Sequence, residues 1–184
     1  VRHLAIAAFV AVNGPAMAQD APANTRPTRD VAVTYRVASP WEPTYDMRMA
    51  WSVSTGMLRV ERPPGGREWT LLDQKAGSAA TVMEAQRMIV TNPSSAVASM
   101  TQAIPADARF VRKGMAQVAG TACREWEVTI PQGQSTVCLT EDGAMLRSVF
   151  GEGADLFRME ATSVEYSPSP SLFTLPQGYR ETPA

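Results

Sequence analysis

The sequence predicts a mainly β protein with a minor α contribution. Its architecture is a strongly curved antiparallel sheet, a half-barrel or unclosed barrel around a short helix. Three observations predict it. Apolar residues recur at every second position through most of the chain, the period of a strand with one buried face. Turn residues punctuate these runs about every ten positions. Only one stretch, near residues 94–102, reads as a helix. A large sheet with one apolar face must be covered or must close on itself, and one short helix cannot cover it alone.

The clearest stretch is 118–150, VAGTACREWEVTIPQGQSTVCLTEDGAMLRSVF, which reads as three consecutive antiparallel strands. Trp126, Val128 and Ile130 alternate with Glu125, Glu127 and Thr129, and Pro131-Gln132-Gly133 supplies a turn. Val137 and Leu139 then alternate with Thr136, Cys138 and Thr140. Asp142-Gly143 signals a hairpin, since a type I′ turn needs positive φ at both central positions. Leu146 and Phe150 continue the buried side. This alternation puts Cys123 and Cys138 on the more polar side of the sheet, opposite Trp126 and Leu139. A tight turn at Pro131-Gln132 leaves the cysteines a diagonal step apart, whereas a four-residue loop over 129–132 brings them face to face. As a Cys123–Cys138 disulfide they close a loop of about 15 residues, worth roughly 3 kcal/mol in the chain-entropy model; two unrelated free thiols are the competing account.

The earlier strands follow the same logic. Val31, Val33, Tyr35 and Val37 alternate with Ala32, Thr34 and Arg36, and Pro40 to Pro43 turns the chain around Trp41. Met47, Met49, Trp51 and Val53 form the next run, Thr55-Gly56 a turn, and Leu58 and Val60 a third. Pro63-Pro64-Gly65-Gly66 is a loop, after which Trp69 and Leu71 face inward. Residues 81–83 and 87–91 are short apolar runs around a turn at 84–86. Ser94-Ser95 caps the predicted short helix through Gln102, which carries Val97 and Met100 and ends at Pro105. Arg109 to Arg112 reads as a strand broken by Gly114. Residues 156–166 form a strand whose phase slips near Thr162, as at a β-bulge. The Pro-rich tail docks through Leu172, Phe173 and Tyr179.

The chain divides into a secretory signal at 1–18, a flexible leader at 19–29 and one β-rich domain at 30–180. The signal rests on basic Arg2 and His3, the apolar run Leu4 to Val12, the break at Asn13-Gly14-Pro15 and the Ala16-Met17-Ala18 cleavage site. Cleavage after Ala18 implies a periplasmic address. The run is too short for a membrane helix, which needs about 20 residues. With 17 Lys plus Arg against 18 Asp plus Glu and no basic stripe, nucleic-acid binding has no support.

His3 is the single histidine and departs with the signal. That excludes Ser-His-Asp and Cys-His catalysis and removes the commonest metal ligand. Glu125 with Glu127 and Glu141 with Asp142 are the candidate carboxylate pairs, and nothing in the sequence brings the two pairs together; a solvated face explains the first pair and its turn explains Asp142. No cofactor motif is present, and the sequence does not read as an enzyme. Methionines beside tryptophans, Met47, Met49, Trp51, Trp69 and Trp126, read as a pocket wall for an acyl chain, because thioethers adapt to irregular apolar shapes. Ordinary core filling is the competing account.

Gly114, Val118-Ala119-Gly120, Cys123, the run Cys138-Leu-Thr-Glu-Asp-Gly-Ala-Met-Leu-Arg147, the ending SLFTLPQGYR, and DVAVTYR and LLDQKAG earlier resemble an uncharacterised family of secreted proteobacterial proteins. That family is similar in layout to the LolA/LolB-like envelope proteins. The resemblance implies an unclosed barrel with helices at its mouth, a periplasmic address and, by fold analogy, shelter for lipid or lipoprotein acyl chains; it carries over no functional residue. Two functions follow. One is a non-enzymatic binder of a hydrophobic ligand, lipid or lipoprotein. The other is an envelope protein-interaction or sensor module with a filled core, with Trp41 as candidate contact.

Overall fold

The computed structural model describes residues 21–92, 104–131 and 133–183. The twelve strands it contains form one sheet in the order β12-β6-β5-β4-β3-β2-β1-β11-β10-β9-β8-β7. The first meander runs β1 (Val31–Ser39), β2 (Glu42–Ser52), β3 (Met57–Glu61), β4 (Glu68–Asp73), β5 (Ser78–Met83) and β6 (Met88–Asn92). The second runs β7 (Arg109–Val118), β8 (Thr121–Ile130), β9 (Gly133–Leu139), β10 (Met145–Phe150) and β11 (Phe157–Tyr166). Antiparallel pairing of β1 with β11 joins the two meanders. The last strand, β12 (Arg180–Pro183), lies parallel to β6. The terminal strands β12 and β7 do not pair with each other, so the sheet is not closed into a barrel. Two short 3₁₀ turns, Gly153–Asp155 and Pro170–Phe173, are the helical segments among the described residues. The helix expected at 94–102 and the secretory signal at 1–18 lie outside them.

Each strand boundary follows from turn chemistry. The bulge expected near Thr162 is present: Thr34 pairs with Ser163 and Tyr35 with Ala161, leaving Thr162 as the extra residue, whose hydroxyl donates to the Thr34 carbonyl. Arg109 to Val118 is one strand rather than two, with a register shift between Arg112 and Met115 that absorbs Gly114. At Asp142-Gly143 the turn is there, but only Gly143 has positive φ, +84°. The Gly143 N–H donates to the Thr140 carbonyl and the Thr140 N–H to the Ala144 carbonyl, a three-residue loop rather than type I′.

The main core lies at the meander junction, where Val31, Val33, Tyr35, Val37, Met47, Met49, Leu58, Leu72, Leu146, Met159 and Ala161 are all buried. Tyr35 places its hydroxyl 2.8 Å from the Met145 carbonyl, to which it donates. Burial pushes its phenol well above the ordinary value, so it stays neutral. Trp69, Leu71, Val82 and Ile89 form a second cluster, covered by Phe173, Leu175 and Tyr179 of the tail. Trp126, Val128, Val137 and Leu139 form a third, with Ile104, Ala108 and Phe110.

The cysteines correct one expectation. Ile130 pairs with Gly133 and Glu125 with Cys138, the tight-turn register that leaves the two cysteines a diagonal step apart. They nevertheless form a disulfide with Cα atoms 5.5 Å apart. Neither thiol position is polar: Cys123 and Cys138 are 1% and 0% exposed and belong to the main core. The polar part of that strand face begins at Glu125, which meets Arg147 at 2.6 Å. The two apolar patterns on β8 therefore bury into two different clusters.

Replacing both Cys123 and Cys138 by Ala should lower stability by about 3 kcal/mol for the loop of sequence separation 15, read from urea unfolding with and without reductant. Equal midpoints for the oxidised and reduced wild type would refute that contribution.

Candidate functional site

Two openings in the surface gather candidate groups. The first is a groove of about 480 Å³ at the β7–β8–β9 end of the sheet. Its floor is Trp126 and Leu139, its lip the 60% exposed Met115, and Arg112 and Arg124 flank it. Phe110 meets Trp126 edge-on, centroids 6.1 Å apart, and the Arg112 guanidinium stands 5.8 Å from the same ring. Residues Ala21 to Asn24 make the opposite wall.

That wall belongs to the stretch read from sequence as a flexible leader. In the structure it is tied to the β9–β10 turn. The Asn24 amide donates to the Glu141 carbonyl at 3.0 Å, and the Thr28 N–H donates to the Asp142 carbonyl at 2.9 Å. Arg29 forms an ion pair with the Asp142 carboxylate while its guanidinium lies 3.6 Å from the Tyr166 ring centroid. Burial raises the Asp142 pKa, but bonds from Thr140 and Arg29 outweigh it and leave a net lowering. Gly143 lets the strap approach: a Cβ there would stand 2.1 Å from the Arg26 carbonyl oxygen.

The second opening is a polar cleft of about 650 Å³ between the Pro63–Gly66 loop and the tail. Arg59 lies 3.6 Å from the Trp69 ring centroid and pairs at 2.7 Å with Glu61, a carboxylate of a residue only 4% exposed that also accepts the Gly65 N–H. Glu84 accepts hydrogen bonds from the Tyr179 hydroxyl and, at 3.1 Å, from Trp69 Nε1. The first of these, helped by the second, lowers its pKa from 4.5. Arg67 and Arg87 complete the rim.

The five residues expected to form one apolar wall fall into three clusters. Met47 and Met49 are 8% and 2% exposed inside the main core, with Trp51 packed against it. Trp69 faces the other way. Met49 pairs with Val60, whereas Arg48, Glu61 and Trp69 share the opposite side, so Trp69 lies under the tail. Trp126 is the one member that lines the groove. Trp41 is 74% exposed in its loop. Three of the four carboxylates weighed for catalysis are in ion pairs: Glu125 with Arg147, Glu127 with Lys113 and Asp142 with Arg29. Among the described residues no group of three His, Cys, Asp or Glu is placed to hold a metal ion. Sequence reasoning missed Arg112, Met115 and Arg124 as groove residues. The signal of Arg112 and Met115, a basic and apolar strand without a clean alternation, is visible only once β7 is known to be an edge, and Arg124 faces them from β8.

No protein-family model matches the sequence, and no curated protein sequence matches it either. Solved structures match at the level of fold. An uncharacterized conserved protein from Thermus thermophilus superposes with TM-score 0.58 at 13% identity, over 85% of this chain and 91% of that one. The MucA/MucB complex of Pseudomonas aeruginosa matches with TM-score 0.55 at 14% identity, over 81% of this chain, which spans 56% of the matched one. At these identities the likeness shows the fold alone. A putative outer membrane lipoprotein-sorting protein domain from Vibrio parahaemolyticus matches at TM-score 0.36 and 11% identity, over 79% of this chain and 89% of that one, too low to carry an argument. The class thus defined is a single curved β sheet, unclosed, that recurs in chains of different length.

Two outcomes follow from these geometries. Gly143→Ala should cost about 1–3 kcal/mol, as a Cβ at φ +84° collides with the strap. Hydrogen exchange should then rise at residues 24–29, and unchanged exchange there would contradict the docking. Glu84, with its lowered pKa, contributes stability that is complete above about pH 4.5 and lost as pH falls through the folded-state value. Tail protection around Tyr179 should therefore fall on acidification, and Glu84→Gln should give weaker protection without that acid dependence.

Proposed function

We propose that this chain is a non-enzymatic binding module of the bacterial envelope that engages a partner protein at the rim formed by β7 and the groove beside Trp126. The observation that carries this reading is exposure. Val111 and Met115 are 51% and 60% exposed on the terminal strand of the sheet, a strand whose backbone pairs with β8 alone among the described residues. The interior at Met47 and Met49 is filled, so the ligand surface is at the rim rather than in the core. A Pseudomonas aeruginosa protein of this fold is known in complex with another protein, MucA with MucB, which supports protein binding as a use of such a sheet. The periplasmic address rests on the signal-like residues 1–18 and on a disulfide, which persists in an oxidising compartment.

A second reading has its own observation. The groove has about 480 Å³, within the range of ligand pockets, and Trp126, Leu139 and Met115 give it an apolar floor and lip. A lipid or a lipoprotein's acyl chain fits that description.

The two separate in one experiment on the exported chain. A photo-crosslinking residue at Met115, with the exposed Arg36 of β1 as control, should yield a discrete protein adduct at Met115 alone. Native mass spectrometry of detergent-free protein should show the bare mass. A lipid-sized mass increment without a protein adduct would replace the first reading by the second.

A further inference from the structure

The outer edge of β7 has a chemistry of its own. Its sequence, RFVRKGMAQV, contains three basic residues and no acidic one. In the register with β8, Arg109 lies opposite Thr129 and Val111 opposite Glu127, and Lys113 reaches Glu127 at 2.9 Å, so Arg109, Val111 and Lys113 share one side of the sheet. Along the edge that side reads basic, apolar, basic at alternate positions, all three well exposed. The Arg109 side chain makes no ion pair or hydrogen bond with another described residue, while its backbone lies in the ladder opposite Thr129.

The geometry points to an occupant of stated chemistry: an extended strand of a partner protein, acidic, apolar and acidic at alternate positions, that adds to the sheet antiparallel to β7. This deepens the protein-partner reading above and rests on it. Edge addition satisfies the outward backbone N–H and C=O groups of β7, while alternate side chains set specificity. Cross-strand pairing then places one carboxylate beside Arg109, an apolar side chain beside Val111 and a second carboxylate beside Lys113.

Charge disfavours two other occupants. In a second copy paired antiparallel about Val111, Arg109 of each chain would face Lys113 of the other, a like-charge juxtaposition on both sides of the axis. Residues 93–103 of this chain, PSSAVASMTQA, have no acidic residue to offer. The opposite edge of the sheet is a poorer platform, because β12 has four residues and ends in Pro183. The bulge at Lys113-Gly114 and the lysine itself are devices that discourage indiscriminate pairing, so the edge selects rather than aggregates.

The test uses two acetylated, amidated peptides, Thr-Glu-Thr-Val-Thr-Glu-Thr and the same sequence with lysine for glutamate, titrated into the unmodified protein. The acidic peptide should bind roughly tenfold tighter, because two cross-strand charge pairs change sign between the peptides. It should slow hydrogen exchange at β7 amides, and its affinity should fall with added salt. The variant Arg109→Glu, which leaves the Lys113–Glu127 pair intact, should abolish the preference at an unchanged urea midpoint. Equal affinities for the two peptides, or protection away from β7, would overturn the inference. If the Met115 crosslink forms and neither peptide binds, the edge-pairing inference fails while the partner reading stands; if the acidic peptide binds as described without a crosslinked protein, the inference stands and the partner is absent from the cells used.

Discussion

A sheet of this size carries apolar residues on both faces and has to cover both. That constraint governs most of the structure. On one side the curvature at the junction of the meanders brings Val33, Tyr35, Met49, Leu58, Leu146 and Met159 together and fills the interior. On the other, Trp69, Leu71, Val82 and Ile89 would face water, and the tail through Phe173, Leu175 and Tyr179 returns to cover them. The strand β4 shows the requirement directly, with Trp69 and Leu71 buried on one face and Leu72 on the other. Burying such side chains is worth about 1.5–3 kcal/mol each, far more than any surface ion pair here.

Where the second face of the sheet is left uncovered, charge replaces apolar contact. Arg36 with Asp46 and Arg147 with Glu160 pair across neighbouring strands, while Arg48 reaches Glu165 across β1 and Arg147 reaches Glu125 across β9. Exposed pairs of this kind contribute about 0–1 kcal/mol each. Their main effect is to hold register, since a one-residue slip would carry each arginine to the apolar face. Arginines also cap exposed aromatic faces, Arg62 over Tyr45 at 3.5 Å and Arg29 over Tyr166 at 3.6 Å.

Most strands were legible because period-two alternation reports one-sided burial, and the bulge at Thr162 was legible as a slip of that period. The tail contact was legible in Phe173 and Tyr179. The rest failed for physical reasons. Alternation assigns a face but not what covers it, so the cysteine side looked polar although the sheet's curvature buries it, and Trp69 looked like a neighbour of Met49 although an odd offset in register turns it away. An edge strand needs no alternation, which concealed the continuity of β7. The parallel pairing of β12 and the strap at 24–29 depend on backbone hydrogen bonds between segments far apart in sequence, and such bonds leave no side-chain pattern. Of the groove, its floor of Trp126 and Leu139 could be read in advance as one side of the sheet.

The junction of the meanders also bears on how the chain acquires its shape. Every other antiparallel pairing links strands adjacent in sequence, whereas β1 and β11 stand some 128 residues apart, as Thr34 and Thr162 do. Non-local pairing is slow because chain closure precedes any favourable contact. A nascent chain can form β1 to β6 early, yet one whole side of β1 stays open until β11 has been made. That interval is when Val31, Val33 and Val37 present an unsatisfied template, so the vulnerable species of this protein is its half-synthesised first meander.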